Sequence, residues 1–257
     1  VSKGTCGFPP RFSDSATRPD SAFPDRRAFV FAWLPALFHP GRIQLAGVPV
    51  RRMRHGSGPR RYLVIHGDED TARDVLIAFM KDHAGVGYTV TGKTRNVEIQ
   101  GLKIDPNRLW SRVGAEASLR ARNQNLNESI AVKVLDFLDR HRDAALRLLT
   151  PEPGSRLFAL HNNREYSVND ELASSDRTSL PQPDMPRHFF LCTDPADFDR
   201  LKQSPYNVVL QTKSEPDDGS LSRLAARRGF RYINLECAIG DFEGQRERVL
   251  WLEAHLP

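Results

Sequence analysis

The segment His66-Gly67-Asp68-Glu69 sets an imidazole and a carboxylate three residues apart, directly after the apolar run Tyr62 to Ile65 and before a stretch with helical spacing. Around such a strand-to-helix junction the two side chains can converge at the carboxyl edge of a sheet, where open α/β sheets bind ligands. Imidazole nitrogen and carboxylate oxygen suit Zn²⁺, and a catalytic zinc takes three protein ligands and leaves a position for water. His161 is the best third ligand, because it follows another apolar run, LFAL, and precedes polar Asn162, Asn163 and Arg164. Taken alone, HGDE reads more plainly as a helix N-terminus at which Asp68 and Glu69 complement the dipole.

The elements that must position these residues alternate short β-like runs with longer amphipathic stretches, the pattern of an α/β layer fold. Ile43 to Val50 and Tyr62 to Ile65 read as strands, the second a continuous apolar run suited to a central position covered on both faces. Asp70 to His83 reads as a helix carrying Val75, Leu76, Phe79 and Met80 on one face, with Gly85 beyond it as a stop. Short strands follow over 87–106 around Gly92 and Gly101, and Asn127 to Leu149 is a second helix with Ile130, Val134, Leu135 and Leu138 on one face. Pro151 and Pro153 end it, Arg156 to Leu160 is a strand leading to His161, and Ser174 to Pro186 has the composition of a surface loop. Phe189 to Leu191, Asn207 to Leu210 and Tyr232 to Leu235 complete the strands, with helices over Ser220 to Arg228 and Gly244 to His255.

The fold expected is therefore a three-layer α/β/α sandwich around a mixed, mostly parallel twisted sheet, one domain over 28–257. Residues 1–27, with Pro9, Pro10, Pro19 and Pro24, read as an extended N-terminal arm. The start Val1-Ser2-Lys3 shows no charged-then-apolar leader, which leaves localisation open, with a periplasmic or secreted protein favoured over a cytoplasmic one. No apolar run approaches the roughly 18 residues that span a bilayer. Oligomeric state is not legible.

Hydrophobic residues make up 39% of the 257, enough for a sizeable core, which argues against a disordered chain. The net charge of +5 is too small to imply nucleic acid by itself. Arg51, Arg52, Arg54, Arg60 and Arg61 form the one local concentration, but no aromatic residues interleave it and no nucleic-acid motif accompanies it. Of the 37 basic side chains 30 are arginines, a bias toward bidentate recognition of carboxylate or phosphate. Cys6, Cys192 and Cys237 include no CxxC pair, so free buried thiols are expected rather than a zinc ribbon or disulfide framework.

Three further segments join HGDE and LHNN: Lys93-Thr94-Arg95, Ile104-Asp105-Pro106-Asn107-Arg108, and Ile233-Asn234-Leu235-Glu236, which ends an apolar strand on a carboxylate. In this order, from Tyr62 to Glu236, the set resembles the zinc metallocarboxypeptidase (M14) superfamily, including its aspartoacylase and succinylglutamate desuccinylase branch. HGDE resembles that family's HxxE, KTR its oxyanion arginine segment, IDPNR its D-x-N-R and LHNN its third-ligand histidine.

The resemblance implies one Zn²⁺ per chain held by His66, Glu69 and His161, with Glu236 as general base and Arg95 stabilising the oxyanion. It implies that Asn107 and Arg108 bind a free carboxylate on a peptide or acyl-amino-acid substrate. Asp105 either orients Arg108 or caps a turn, and Pro106 stands where the family more usually has Leu or Ala. The family's substrate-capping tyrosine has two candidates, Tyr166 and Tyr206.

The function expected is that of a metallocarboxypeptidase, with bacterial cell-wall peptides as one compatible substrate. The alternative within the class is an N-acyl amino-acid deacylase, whose acidic acyl group would need a further arginine, Arg164 or Arg112. The chain ends 21 residues after Glu236, without room for the C-terminal β domain of the aspartoacylase branch, and this favours the peptidase. A non-catalytic zinc-containing binding module is the alternative of another class.

Overall fold

The computed structural model describes residues 41–212 and 216–256; the arm expected over 1–27, and Cys6 with it, lie outside them. In chain order the elements are β1 (Gly41–Leu45), β2 (Val48–His55), β3 (Arg61–Val64), α1 (Asp70–Phe79), β4 (Gly85–Val90), β5 (Val97–Ile99), β6 (Leu102–Ile104), α2 (Arg112–Arg122) and α3 (Glu128–Leu149). They continue with β7 (Leu157–Asn163), β8 (Arg177–Ser179), β9 (Phe189–Cys192), α4 (Pro195–Leu201), β10 (Asn207–Leu210), α5 (Leu221–Arg228), β11 (Tyr232–Ala238) and α6 (Phe242–His255).

Nine strands form one mixed sheet in the order β1-β2-β4-β3-β7-β11-β9-β10-β8, and β5 and β6 form a separate hairpin. The run β4-β3-β7-β11 is parallel throughout, so its strands end at a common carboxyl edge. β7 and β11 are buried along their whole length, as strands covered on both faces must be. One face packs Val50, Leu63 and Tyr88 against Leu119 of α2, Val134 and Leu138 of α3 and Leu224 of α5. The other packs Val64, Leu160 and Leu235 against Val75 and Leu76 of α1, Phe198 of α4 and Leu252 of α6. Helices thus cover both faces, which gives the three layers.

Several local expectations change. The strand expected over Ile43 to Val50 is a hairpin, because Ala46 and Gly47 both take positive φ, +50° and +88°, the geometry of a two-residue type I′ turn. Ile130 is 36% exposed, and Ala131 takes its place on the buried stripe of α3. The loop expected over Ser174 to Pro186 contains the edge strand β8, antiparallel to β10. The helices α2 and α4 were not anticipated. His161 and Glu236 lie inside β7 and β11 rather than just after them. Cys192 and Cys237 are free and buried, as expected.

Candidate metal centre and cleft

The parallel run brings His66, Glu69 and His161 together at the carboxyl edge. His66 leaves β3 through a turn that only glycine can complete, since a Cβ on Gly67 would stand 2.7 Å from the Thr94 carbonyl oxygen. Gly67 N–H donates to that same oxygen at 3.2 Å, fastening the turn to the loop that carries Arg95. Glu69 is the residue that opens α1, and its carboxylate is directed back over the strand ends.

One ligand atom from each of the three side chains lies within 4.8 Å of the others, and all three residues are buried. His66 Nδ1 stands 2.8 Å from Glu69 Oε1, and His161 Nδ1 stands 3.2 Å from Glu69 Oε2. Oε2 has no hydrogen-bond partner, an orphaned carboxylate oxygen facing an imidazole in a buried site. A buried anion of this kind is retained where a cation completes it. Two imidazole nitrogens and one carboxylate oxygen form a donor set that fits one metal ion and is consistent with zinc.

Asp105 proves to have a task that its sequence setting did not reveal. Its Oδ1 lies 3.0 Å from His66 Nε2 and also accepts from Asn107 N at 2.8 Å, so it closes the turn and orients the imidazole rather than the Arg108 side chain. With Nε2–H donated to Asp105, the neutral ring presents its lone pair on Nδ1, toward Glu69. His161 is held through its backbone, where Gln245 Nε2 donates to the carbonyl at 2.9 Å.

Without a metal, protons hold the cluster together. Burial would lower the His66 pKa, but Glu69 and Asp105 outweigh it and raise it to about 9. Burial likewise opposes ionisation of Glu69, yet the facing His161 and His66 hold it at about 2. Asp105 lies well below the usual carboxylate range despite burial, through His66, Asn107 N–H and Arg95.

Glu236 reaches the same cleft from β11, where it pairs in register with His161 on β7. Asn163 Nδ2 donates to its Oε2 and Asn234 Nδ2 to its Oε1, each at 3.0 Å. Burial raises its pKa even so, against the lowering by His161 and the two amides. These asparagines were missed in the sequence, although the signal was there. Asn163 is two residues after His161 and Asn234 two before Glu236, which puts each on the same strand face as its partner.

The cleft measures about 560 Å³, within the range of small-ligand sites, and Arg95, Asn107, Arg108, Tyr166 and Arg164 all line it. Arg95 Nη1 lies 3.6 Å from Glu69 Oε1 and its Nε 3.8 Å from Asp105 Oδ2. Asn107 Oδ1 accepts from Leu221 N at 3.2 Å, which leaves the amide NH₂ as the group to offer a ligand. Arg108 Nη1 donates to the Asn107 carbonyl at 3.1 Å and stands 3.7 Å from Asp218 Oδ2. Tyr166 donates its hydroxyl to Glu171.

Two expected residues are absent from this cleft. Tyr206 packs edge-on against Phe190 and Trp251 with the Arg248 guanidinium 4.6 Å from its ring centre, so it is a packing residue. Arg112 pairs with Asp136 and Asp139 across α2 and α3.

No protein-family model matches the sequence, and no curated protein matches it. Solved structures do. One is an aspartoacylase family protein from Mesorhizobium loti, with a TM-score of 0.44 and 17% identity over 85% of this chain and 68% of that one. A candidate metallopeptidase from Shewanella amazonensis gives 0.40 and 12% over 86% and 88%. A succinylglutamate desuccinylase/aspartoacylase from Rhodobacter sphaeroides gives 0.41 and 15%, and the matched region spans 85% of this chain and 63% of that one. Among the described residues no helix is long and apolar enough to cross a membrane.

Proposed function

We propose that this chain is a zinc-dependent hydrolase that cleaves an amide bond next to a free carboxylate, a metallocarboxypeptidase in its most concrete form. The observation that carries the reading is the shared strand register of His161 and Glu236, which sets a buried carboxylate beside the His66–Glu69–His161 cluster in one cleft. When bound, zinc would supply Lewis acidity, polarising the scissile carbonyl and lowering the pKa of a water molecule to roughly 7.

The chain's own groups would do the rest. Arg108 and the Asn107 amide would hold the substrate's terminal carboxylate, the guanidinium by two parallel charge-assisted hydrogen bonds. Arg95, half exposed beside Glu69, would donate to the carbonyl oxygen as negative charge develops there. Glu236, buried and with a raised pKa, would take a proton from the attacking water and return it to the departing nitrogen. One C–O bond forms and one C–N bond breaks, and the products are an acid and an amine.

An N-acyl amino-acid deacylase would use the same groups. What supports it is Arg164, exposed on the cleft wall, where an acidic acyl group could be held. Cell-wall peptides are one compatible source of substrate for the carboxypeptidase.

The test is zinc stoichiometry together with hydrolysis of acylated dipeptides bearing free or amidated C-termini. About one zinc per chain and loss of the amidated substrates are expected. Zinc without turnover of any peptide or acyl-amino acid would point instead to a non-catalytic module, and protein with no zinc affinity would sink the proposal.

A further inference from the structure

Five of the α-helices among the described residues cap themselves. Ser111, Asn127, Asp194, Ser220 and Asp241 each accept from a backbone N–H in the first turn of the helix they open, α2 to α6 in order. Glu69 does not. It stands at the N-cap of α1, where a side-chain oxygen ordinarily takes the amide of the second or third helical residue. Its carboxylate makes no such bond and lies between His66 and His161 instead. The first-turn amides and the positive end of the helix dipole both attract a carboxylate. For Glu69 that attraction competes with the metal position.

Asn162 supplies the missing oxygen from another element. It follows His161 on β7, so its side chain stands on the opposite face of the sheet, toward α1 and α6. Its Oδ1 accepts from Ala72 N, the third residue of α1, at 2.7 Å. Gln245, fully buried on α6, fixes the sense of that amide. The His161 carbonyl can only accept, so Gln245 presents Nε2 to it, at 2.9 Å, and turns Oε1 toward Asn162. Asn162 must then offer Nδ2 to that oxygen, at 3.0 Å, which leaves its own Oδ1 for Ala72.

We propose that Asn162 is a positioning residue that caps α1 in place of Glu69 and so leaves the Glu69 carboxylate free for the metal, with Gln245 holding the Asn162 amide in the required sense. The same two amides tie the His161 backbone to the first turn of α1, and thereby set the separation of two ligands that lie 92 positions apart in the chain. The proposal rests on the metal centre of the hydrolase reading and deepens it, with no claim on the substrate.

The experiment compares zinc affinity, by competition with a chelator, in wild type, N162L and N162D. N162L keeps the volume and removes the acceptor, and should bind zinc about 10- to 100-fold more weakly, the range for a group that orients a ligand. N162D keeps an oxygen opposite Ala72 and should bind within about threefold of wild type, since Asp caps as well as Asn. Lost packing alone would lower the melting temperature of metal-free and zinc-loaded protein alike and leave the affinity in place. An N162L that binds zinc as wild type does, or an N162D that loses as much as N162L, overturns the proposal. Crystal structures of the metal-free proteins give a readout that needs no zinc. In N162L the Glu69 carboxylate should turn onto the Thr71 and Ala72 amides, and a carboxylate still standing between the two imidazoles overturns the proposal. If wild type takes up no zinc, the hydrolase reading fails, and the metal-free structures decide for Asn162. Should N162L not fold, N162V removes the same acceptor with a β-branched residue suited to β7, and the same measurements decide.

Discussion

Asp105 and Glu69 grip the same imidazole from its two nitrogens, at 3.0 Å from His66 Nε2 and 2.8 Å from His66 Nδ1. One carboxylate therefore fixes the ring while the other shares its lone-pair side. Asp105→Asn keeps the volume and removes the charge that holds the tautomer. It should weaken zinc binding by about 10- to 100-fold, read by competition with a chelator, with the helical content of the protein unchanged. Unaltered affinity would show that the contact is only a turn closure.

Zinc must displace the proton that His66 retains while Glu69 and Asp105 raise its pKa to about 9. Binding should therefore release protons and tighten as pH rises from 6 toward 9, measured by calorimetry in buffers of different ionisation enthalpy. The sign for folding is opposite in the metal-free protein. A pKa raised above 6.5 contributes stability that is present below that value and is lost as pH rises through about 9. Chelated protein should lose stability over that window, and a pH-independent melting temperature there would contradict the protonated cluster.

Glu236→Gln should abolish turnover with zinc retained. The two amides test the same carboxylate more finely. Asn163 and Asn234 donate to its ionised form, so Asn163→Ala or Asn234→Ala should raise its pKa further. A base must be ionised, and the acid limb of the kcat/KM profile should accordingly move to higher pH. A profile that stays in place would remove Glu236 from the role of base.

Away from the cleft, Asp197 is fully buried between two guanidinium groups, with Arg156 Nε 2.8 Å from Oδ1 and Arg231 Nε 2.9 Å from Oδ2. Removing one member of such a group leaves charge without compensation. Asp197→Ala should cost about 3 to 5 kcal/mol in urea unfolding, with zinc binding by the folded fraction intact.

The strand positions were legible where apolar residues run on without a break. YLVI, LFAL and the run before Glu236 could be read as central strands, and their ends as the edge that holds a site. The helix α2 was not legible, because of its buried positions Gly114, Ala115, Ser118 and Leu119 the first three are small and only Leu119 is a large apolar residue. Its close approach explains that choice: a Cβ on Gly114 would fall 2.2 Å from the Gly219 Cα. β8, Arg177–Ser179, carries no apolar residue at all, as a solvated edge strand can. Neither reading of Asp105, orienting Arg108 or capping a turn, reached its contact with His66, because that partner lies 39 positions away in the chain.

The pairing of His161 with Glu236 across β7 and β11 also gives the fold a means of proofreading. Sliding either strand by one residue would turn its functional side chain to the opposite face of the sheet. A mispaired chain would lose a ligand or the neighbouring carboxylate, and zinc would no longer favour it over the correctly threaded one. Metal uptake during refolding would thus count only those molecules whose central strands have found their partners.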